Sequence, residues 1–398
     1  MASNIFVEAG SFQFNKDKNF ACGDTVLLHK FPKQERCIAV LSDGLGSGIK
    51  ANVLSTLTAS MAMNFSIKRE PIMRTAHTIM DTLPVDSKRN ISYSTFTIID
   101  IDEEGKAQIV EFDNPRILLI RNSKVQYIET KNITIKEKNG DSSYERVLKQ
   151  STLQLVKGDR LVVYSDGVAQ SGIGNPNMPF GWGEGVETYI EWLIKQDNDI
   201  SARDLAKYVV TKAQLNDGLK CKDDTSCVCL YVREPRKLLI CTGPPFSEDK
   251  DKYLAEVTSS YDGKKIVCGG TTSQIIAREL NKEIEVNMDL DSIASGLPPE
   301  SYIDGIDLVT EGIITLGAVS KILEDDKFNE INGNGPAWDI IHYIMDADVI
   351  DFLVGTKINV AHQDPSLPVE LEIRRNVMKR IKTLIESKLL KTVNLEFI

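Results

Sequence analysis

Four short acidic motifs contain the residue types that could support metal chemistry. They are Cys22-Gly23-Asp24, Leu41-Ser42-Asp43-Gly44, Tyr164-Ser165-Asp166-Gly167 and Lys222-Asp223-Asp224-Thr225. Asp43 and Asp166 each follow an apolar, β-branched run, whereas Asp24 and Asp223 each precede one. We therefore expect each carboxylate at the end of a buried strand, where side chains distant in sequence can meet. Converging carboxylates need a counter-charge, and hard divalent cations such as Mg²⁺ and Mn²⁺ prefer oxygen ligands of this type.

The elements that must hold these motifs are predicted from residue periodicity over the first 234 residues. Alternating and β-branched runs predict strands, and apolar residues at helical spacing predict helices. The predicted strands are 4–14, 24–31, 36–42, 92–101, 106–112, 116–121, 124–129, 160–165 and 226–233, and the predicted helices are 47–68, 71–82, 184–195 and 201–216. Grouped helices between early and late strands indicate an α+β domain with largely antiparallel sheets.

The pattern changes after residue 236. Short apolar runs each lead into a loop rich in Gly or Thr, and the first three then lead into a helical pattern; the runs are 237–241, 265–268, 306–309 and 349–353. This β-α alternation predicts a mainly parallel sheet with covering helices. A long amphipathic helix over about 368–391 and a short strand are expected at the end. The predicted domains are 1–235 and 236–398.

The second of these loops contains Gly269, Gly270, Thr271 and Thr272, ahead of a helix predicted over 274–281. Loops at the carboxyl ends of parallel strands form the binding crevice of such sheets, and backbone N–H groups before a helix can bind an anion. In one interpretation these four residues bind a small anionic ligand. In the other they are structural or the domain docks a protein partner, because Gly and Thr also favour turns and helix caps.

Composition excludes several classes of function. The chain has 398 residues, enough for two domains, and its net charge of −10 argues against nucleic acid as the main ligand. No apolar stretch approaches the roughly 20 residues that span a bilayer, and the first residues lack the pattern of a signal peptide. Seven cysteines without a pairing framework indicate reduced thiols and a cytoplasmic protein. The four histidines do not cluster with cysteine, so a zinc site is not expected.

Taken together and in this order, the acidic motifs resemble those of the metal-dependent, protein phosphatase 2C-like (PPM) serine/threonine phosphatases, in particular the bacterial stage II sporulation E type. The resemblance covers residues 1–234. It implies two antiparallel sheets stacked face to face and flanked by helices, an α-β-β-α sandwich, with two Mn²⁺ or Mg²⁺ ions at one edge. Carried across by position, it assigns the metal ligands to Asp24, Asp43, the carbonyl of Gly44, Asp166, Asp223 and its neighbour Asp224. Because Thr225-Ser226 departs from the commoner apolar-Thr pair, the register between Asp223 and Asp224 stays open.

The resemblance also implies that the chain hydrolyses phosphoserine and phosphothreonine in proteins, with Asp24, Asp43, Asp166 and Asp223 as catalytic residues. In this chemistry two closely spaced cations lower the pKa of a bridging water, and the resulting hydroxide attacks phosphorus. Members of other branches bind phosphate with an arginine upstream of the first aspartate, a stretch that contains only Lys16 and Lys18 as basic residues here.

Two alternatives stay open beside this interpretation. One is a catalytically degenerate phosphatase fold that acts as a signalling scaffold, and the other is a hydrolase of small phosphoesters. Residues 236–398 are expected to regulate the phosphatase through a small anionic ligand or a protein partner, without nucleic acid or membrane.

Overall fold

The computed structural model describes residues 5–31, 36–82, 85–86, 91–92, 94–139, 142–286, 301–329, 333–357, 368–389 and 391–398. The chain forms two compact units, Met1–Glu234 and Pro235–Ile398. Of the helices in the described ranges, none combines the length and the apolar character needed to cross a bilayer.

The first unit contains two antiparallel sheets and grouped helices. Its strands are β1 (Phe6–Phe14), β2 (Asp24–Phe31), β3 (Arg36–Gly44), β4 (Val85–Asp86), β5 (Ile91–Ser92), β6 (Ser94–Ile101), β7 (Lys106–Phe112), β8 (Leu118–Arg121), β9 (Lys124–Gln126), β10 (Lys131–Asn139), β11 (Ser142–Gln154), β12 (Arg160–Tyr164) and β13 (Thr225–Arg233). Its helices are α1 (Ile49–Ile67), α2 (Ile72–Thr82), α3 (Asp166–Ala169), α4 (Gly185–Gln196) and α5 (Ala202–Asn216). One sheet has the order β1-β13-β12-β8-β9 and the other β10-β11-β7-β6-β3-β2, while β4 pairs with β5.

The two sheets stack because their strands are apolar on both faces. Successive residues of a strand point to opposite faces, and along β3 Ile38 and Val40 pack with α1 and α2. The alternate residues Ala39 and Leu41 pack against the other sheet, which contributes Val163 among others. A third cluster lies between that sheet and helices α4 and α5. The resulting order of layers is helix, sheet, sheet, helix, which confirms the predicted fold.

The second unit is built on a mainly parallel sheet. Its strands are β14 (Lys237–Thr242), β15 (Lys264–Cys268), β16 (Glu285–Val286), β17 (Ser301–Tyr302), β18 (Leu308–Thr310), β19 (Val349–Val354) and β20 (Thr392–Phe397), and its helices are α6 (Asp251–Ser260), α7 (Gly270–Leu280), α8 (Ile313–Glu324), α9 (Pro336–Asp346) and α10 (Pro368–Lys388). The strand order is β16-β17-β18-β15-β14-β19-β20, with β16 and β17 antiparallel at the edge. The chain leaves β14 in one direction and returns to its other side at β19, which is a doubly wound topology. The predicted parallel sheet is confirmed.

Two local predictions differ from the structure. The hairpin of β10 and β11 is absent from the predicted strands, because its first strand is rich in Lys, Asn and Glu and lacks a long apolar run. Helix α7 begins at Gly270, not at residue 274, so Gly270, Thr271 and Thr272 form its first turn and not a preceding loop. The sequence pattern predicted a loop here because two consecutive glycines, Gly269 and Gly270, are typical of loops.

Candidate metal-binding and active site

Strands β2 and β3 place Asp24 and Asp43 side by side. The strands are antiparallel, and the register pairs Asp24, the first residue of β2, with Asp43 near the end of β3. Paired residues of an antiparallel ladder project to the same face with Cβ atoms about 5 Å apart. The N–H of Gly44 donates to the carbonyl of Gly23 at 3.2 Å and extends this pairing. Sheet register therefore holds the first two carboxylates together.

The other sheet supplies Asp166, Asp223 and Asp224. Strands β12 and β13 are adjacent and antiparallel, so the end of the first lies beside the start of the second. Asp166 follows β12 by two residues and begins α3, while Asp223 and Asp224 immediately precede β13. The N–H of Ser165 donates to the carbonyl of Ser226 at 3.0 Å, which ties the two segments together.

Ser226 connects the two pairs of strands, and sequence reasoning missed its role. Its hydroxyl donates to Oδ2 of Asp24 at 2.6 Å and accepts from Nε2 of Gln13 at 2.8 Å. The same Gln13 amide lies 3.5 Å from the carbonyl oxygen of Asp24. The departure of Thr225-Ser226 from the commoner family pair was the available signal. The structure gives it a function, since a hydroxyl at this position anchors a carboxylate of the opposite sheet.

Burial and neighbouring carboxylates raise the pKa of Asp43 and of Asp24. Burial, followed by the charges of Asp24, Asp166 and Asp223, raises the pKa of Asp43 to about 10. Burial raises the pKa of Asp24 to about 7, with contributions from Asp224 and Asp166, and hydrogen bonds from two serine hydroxyls oppose the shift. The five carboxylates are thus close enough to repel one another, and this negative charge favours binding of a cation.

Two carboxylate oxygens of the cluster are buried and unpaired. Oδ1 of Asp24 and Oδ2 of Asp224 have no hydrogen-bond partner among the described residues, and each residue is only 3% exposed. A Cβ at Gly23 would lie 2.7 Å from Oδ2 of Asp224, so only glycine allows this close approach of the backbone. Leaving such oxygens without a partner is costly, and a hard cation would satisfy both.

The residues fit divalent cations in charge and donor type. All the side-chain donors are carboxylate oxygens, which Mg²⁺ and Mn²⁺ prefer. In the part of the chain that the structure describes, no three or more His, Cys, Asp or Glu side chains already close around one point as they do around a bound ion. The carboxylates therefore lie near one another, and they would have to move closer together to coordinate a cation.

Asp223 and Asp224 face different members of the cluster. Asp224 is buried, and its Oδ1 accepts the N–H of Lys16 at 3.0 Å. Asp223 is partly exposed, with its Oδ1 3.6 Å from Nζ of Lys16, and burial raises its pKa while Lys16 opposes the rise. The charge of Asp223 acts on Asp43, whereas that of Asp224 acts on Asp24. Both aspartates stay candidate ligands.

The other predicted residues are Gly44 in the first unit and four residues of the second unit. Gly44 ends β3, and a Cβ on it would lie 2.1 Å from the carbonyl oxygen of Ala51 in α1. The predicted role of its own carbonyl as a ligand stays a prediction. Gly269, Gly270, Thr271 and Thr272 lie in the second unit, at the start of α7.

Comparison with known proteins places the first unit in a family. The family model of stage II sporulation protein E (SpoIIE) matches residues 33–233, just over half of the 398 residues. The matched region contains Asp43, Asp166, Asp223 and Asp224, and Asp24 precedes it. Comparison with curated protein sequences gave no match.

Several solved structures show a distant likeness. The PP2C phosphatase domain of SpoIIE from Bacillus subtilis, with a fragment of its regulatory domain, is 16% identical over 57% of this chain and 64% of that chain, with a TM-score of 0.46. The RsbU and RsbW domains of a Mycobacterium tuberculosis protein are 13% identical over 63% of this chain and 66% of that chain, with a TM-score of 0.44. A serine/threonine phosphatase of S. agalactiae is 13% identical over 57% of this chain and 99% of that chain, with a TM-score of 0.41.

These likenesses are too distant to add to the assignment, which stands on the family model. It covers the strands of both sheets of the first unit except β1 and β2, and all but one of the converging aspartates. The chain belongs to the stage II sporulation protein E family.

Proposed function

We propose that the first unit is a metal-dependent protein phosphatase that hydrolyses phosphoserine and phosphothreonine. The observation that supports it most is the meeting of five aspartates from both sheets, two of whose buried oxygens have no partner among the described residues; the aspartates are Asp24, Asp43, Asp166, Asp223 and Asp224. A cluster with this much uncompensated negative charge destabilises the fold unless a ligand offsets it. Functional sites are where such local costs are retained.

Asp24, Asp43, Asp166 and Asp223 would hold the two ions, with Asp224 and the carbonyl of Gly44 as further donors. Bound there, Mg²⁺ or Mn²⁺ would supply Lewis-acid stabilisation of phosphoryl oxygens and an activated water. The protein's own part is positional: β-sheet register holds Asp24 against Asp43, and the Ser226 hydroxyl fixes the rotamer of Asp24.

Lys16 is a basic residue that contacts the cluster. Its ammonium group lies 3.6 Å from Asp223, and its backbone N–H is bonded to Asp224. Because the ammonium is partly committed to Asp223, we infer that bound cations provide most of the positive charge that attracts a phosphate group.

The experiment is hydrolysis of p-nitrophenyl phosphate and of a phosphoserine peptide in Mn²⁺. Asp43→Asn should reduce kcat by about 10³-fold or more, because the cluster loses its central carboxylate. Asp102→Asn is the matched control. Asp102 accepts the N–H groups of Glu104 and Lys106 in a hairpin turn, and Asn serves that turn equally well.

Equal rates for the parent and Asp43→Asn would reject the site. Inactivity of the parent itself, in spite of measurable Mn²⁺ binding, would favour the scaffold alternative.

We further infer that residues 236–398 regulate this activity. The second unit is separately compact and has its own cores on both faces of its sheet. A ligand of this unit that changed the phosphatase rate would support the inference.

A further inference from the structure

At the amino end of α7, in the second unit, the first backbone N–H groups have no partner among the described residues. The N–H groups of Gly270, Thr271 and Thr272 have no carbonyl within the helix to bind, and the first intrahelical bond runs from Ser273 to the carbonyl of Gly269 at 2.9 Å. Gly270 and Thr271 are exposed. The N-cap, Gly269, has a φ of +121° and carries no side chain to cap these donors.

A buried hydroxyl faces the same place. Thr272 is 1% exposed, and its Oγ1 has no hydrogen-bond partner among the residues that the structure describes. A helical threonine commonly donates to the carbonyl four residues earlier, as Thr258 does to Leu254 at 2.7 Å in α6. Instead, Oγ1 of Thr272 lies 3.3 Å from where a Cβ of Gly269 would be, and Cα of Gly312 lies 3.8 Å from that point. The hydroxyl therefore points toward the N-cap position, where Gly269 has no side chain.

The neighbouring helix α8 differs, because the chain already supplies an anion there. The carboxylate of Glu311 accepts the N–H of Gly312 at 3.0 Å, immediately before α8. Helices α6 and α9 have Asp251 and Asp339 in their first turns, whereas the first turn of α7, Gly270–Ser273, has no acidic residue. The partial positive charge at the amino end of α7 is thus left for a ligand.

We propose that the amino end of α7 binds the phosphoryl group of a small phosphorylated molecule. A phosphoryl group has several anionic oxygens, which match the fan of three N–H groups and the Thr272 hydroxyl better than the two oxygens of a carboxylate. Gly269, with its φ of +121°, has no side chain that would keep the ligand from the backbone. The site also lies at the carboxyl end of β15, the edge at which doubly wound sheets bind ligands.

The test is calorimetric titration of the full chain with orthophosphate, with ribose 5-phosphate and with ribose. EDTA is present and ionic strength is held constant with NaCl, so that the aspartate cluster cannot retain phosphate through a metal. Orthophosphate or ribose 5-phosphate should bind and ribose should not. Binding of orthophosphate alone identifies free phosphate as the ligand, and tighter binding of ribose 5-phosphate identifies a phosphorylated metabolite. Absence of binding by both phosphates would overturn the proposal.

A pair of variants at one position isolates the charge. A Cβ on Gly270 meets nothing within 4 Å, and its φ is not positive, so side chains fit there. Gly270→Asp places a carboxylate where the phosphoryl group should lie and should weaken binding at least about tenfold. Gly270→Asn has nearly the same shape without charge and should stay within about threefold of the parent. Equal affinities of the two variants would contradict an anion site.

A second pair isolates the hydroxyl. Thr272→Val keeps the shape and removes the unpaired group, and it should weaken phosphate binding about fivefold. Thr315 has the same place in α8, and it too is buried with a hydroxyl that has no partner in the described part of the chain. Thr315→Val should leave the affinity unchanged. If Thr272→Val also left it unchanged, the hydroxyl would be only an unsatisfied core group and the site as described would be wrong.

Discussion

Asp43 shows how a single residue can favour binding at the expense of folding. Burial and three neighbouring carboxylates raise its pKa to about 10, so near neutral pH the folded chain must either protonate it or bear its repulsion. In the unfolded chain the same group titrates as an ordinary aspartate. This difference between the folded-state and unfolded-state pKa lowers the stability of the metal-free protein at every pH above the ordinary pKa of an aspartate.

We therefore expect Asp43→Asn to stabilise the metal-free protein, by about 1 kcal/mol in EDTA at pH 8. Because folding raises the pKa of Asp43, the parent loses unfolding free energy as the pH rises above the ordinary pKa of an aspartate. The stability gained by Asp43→Asn should therefore shrink toward pH 4. Urea unfolding at the two pH values measures this.

In saturating Mn²⁺ the parent should be more stable than Asp43→Asn, because a metal that binds only the folded state stabilises the parent more than the variant. A variant less stable than the parent in EDTA as well as in Mn²⁺ would show that Asp43 is structural.

Two exposed aromatic residues lie on chain segments that adjoin the elements carrying the cluster, and they bear on the proposed substrate. Phe20 is fully exposed and lies between Lys16, which contacts Asp223 and Asp224, and the start of β2. Phe180 is 90% exposed in a segment that returns to α3, where the N–H of Gly183 donates to the carbonyl of Ala169 at 2.9 Å. Exposed aromatic side chains next to a site favour a protein substrate over a small phosphoester.

Replacing both phenylalanines with alanine should raise KM for a phosphoprotein about tenfold and leave p-nitrophenyl phosphate kinetics unchanged. Val156→Ala is the control, since Val156 is exposed and precedes the start of β12, at the end away from Asp166. An equal loss with both substrates would favour the small-phosphoester alternative.

At the scale of elements, the junction of β3 and α1 depends on a close approach. A Cβ on Gly44 would lie 2.1 Å from the carbonyl oxygen of Ala51, and backbone cannot move aside as a flexible side chain can. Gly44→Ala should therefore destabilise the protein by about 2–3 kcal/mol, and it should weaken Mn²⁺ binding because Asp43 precedes the displaced residue.

Gly317→Ala in α8 is the matched control. Its Cβ meets nothing within 4 Å, and alanine in a helix interior should stabilise the protein by about 0.5–1 kcal/mol. Thermal unfolding of both variants checks the pair, and a Gly44→Ala protein as stable as the parent would show that α1 can shift freely.

The elements around the site were predictable because each has a strong local signal. β2, β3 and β12 are apolar runs bounded by Asp-Gly or Gly-Asp, and their predicted and observed limits differ by two residues at most. The strands of the β10–β11 hairpin are rich in polar residues, so their sequence pattern resembles that of a loop. The hydrogen bond from Ser226 to Asp24 joins residues 202 apart, and it depends on how the two sheets stack, which no local pattern encodes.

The whole molecule consists of two compact units with separate cores, and each unit has its own candidate ligand-binding site. The aspartate cluster belongs to the first unit and the amino end of α7 to the second. Because each core is complete within its unit, we expect two transitions in calorimetric unfolding of the full chain. Mn²⁺ should raise the temperature of one transition and, in EDTA, orthophosphate that of the other, each by several degrees at about 100 times its Kd. Asp43→Asn should abolish the first shift alone, and Gly270→Asp the second alone. A single transition that moves as a whole with either ligand would show that the units unfold cooperatively, and binding at one site would then have a direct energetic route to the other.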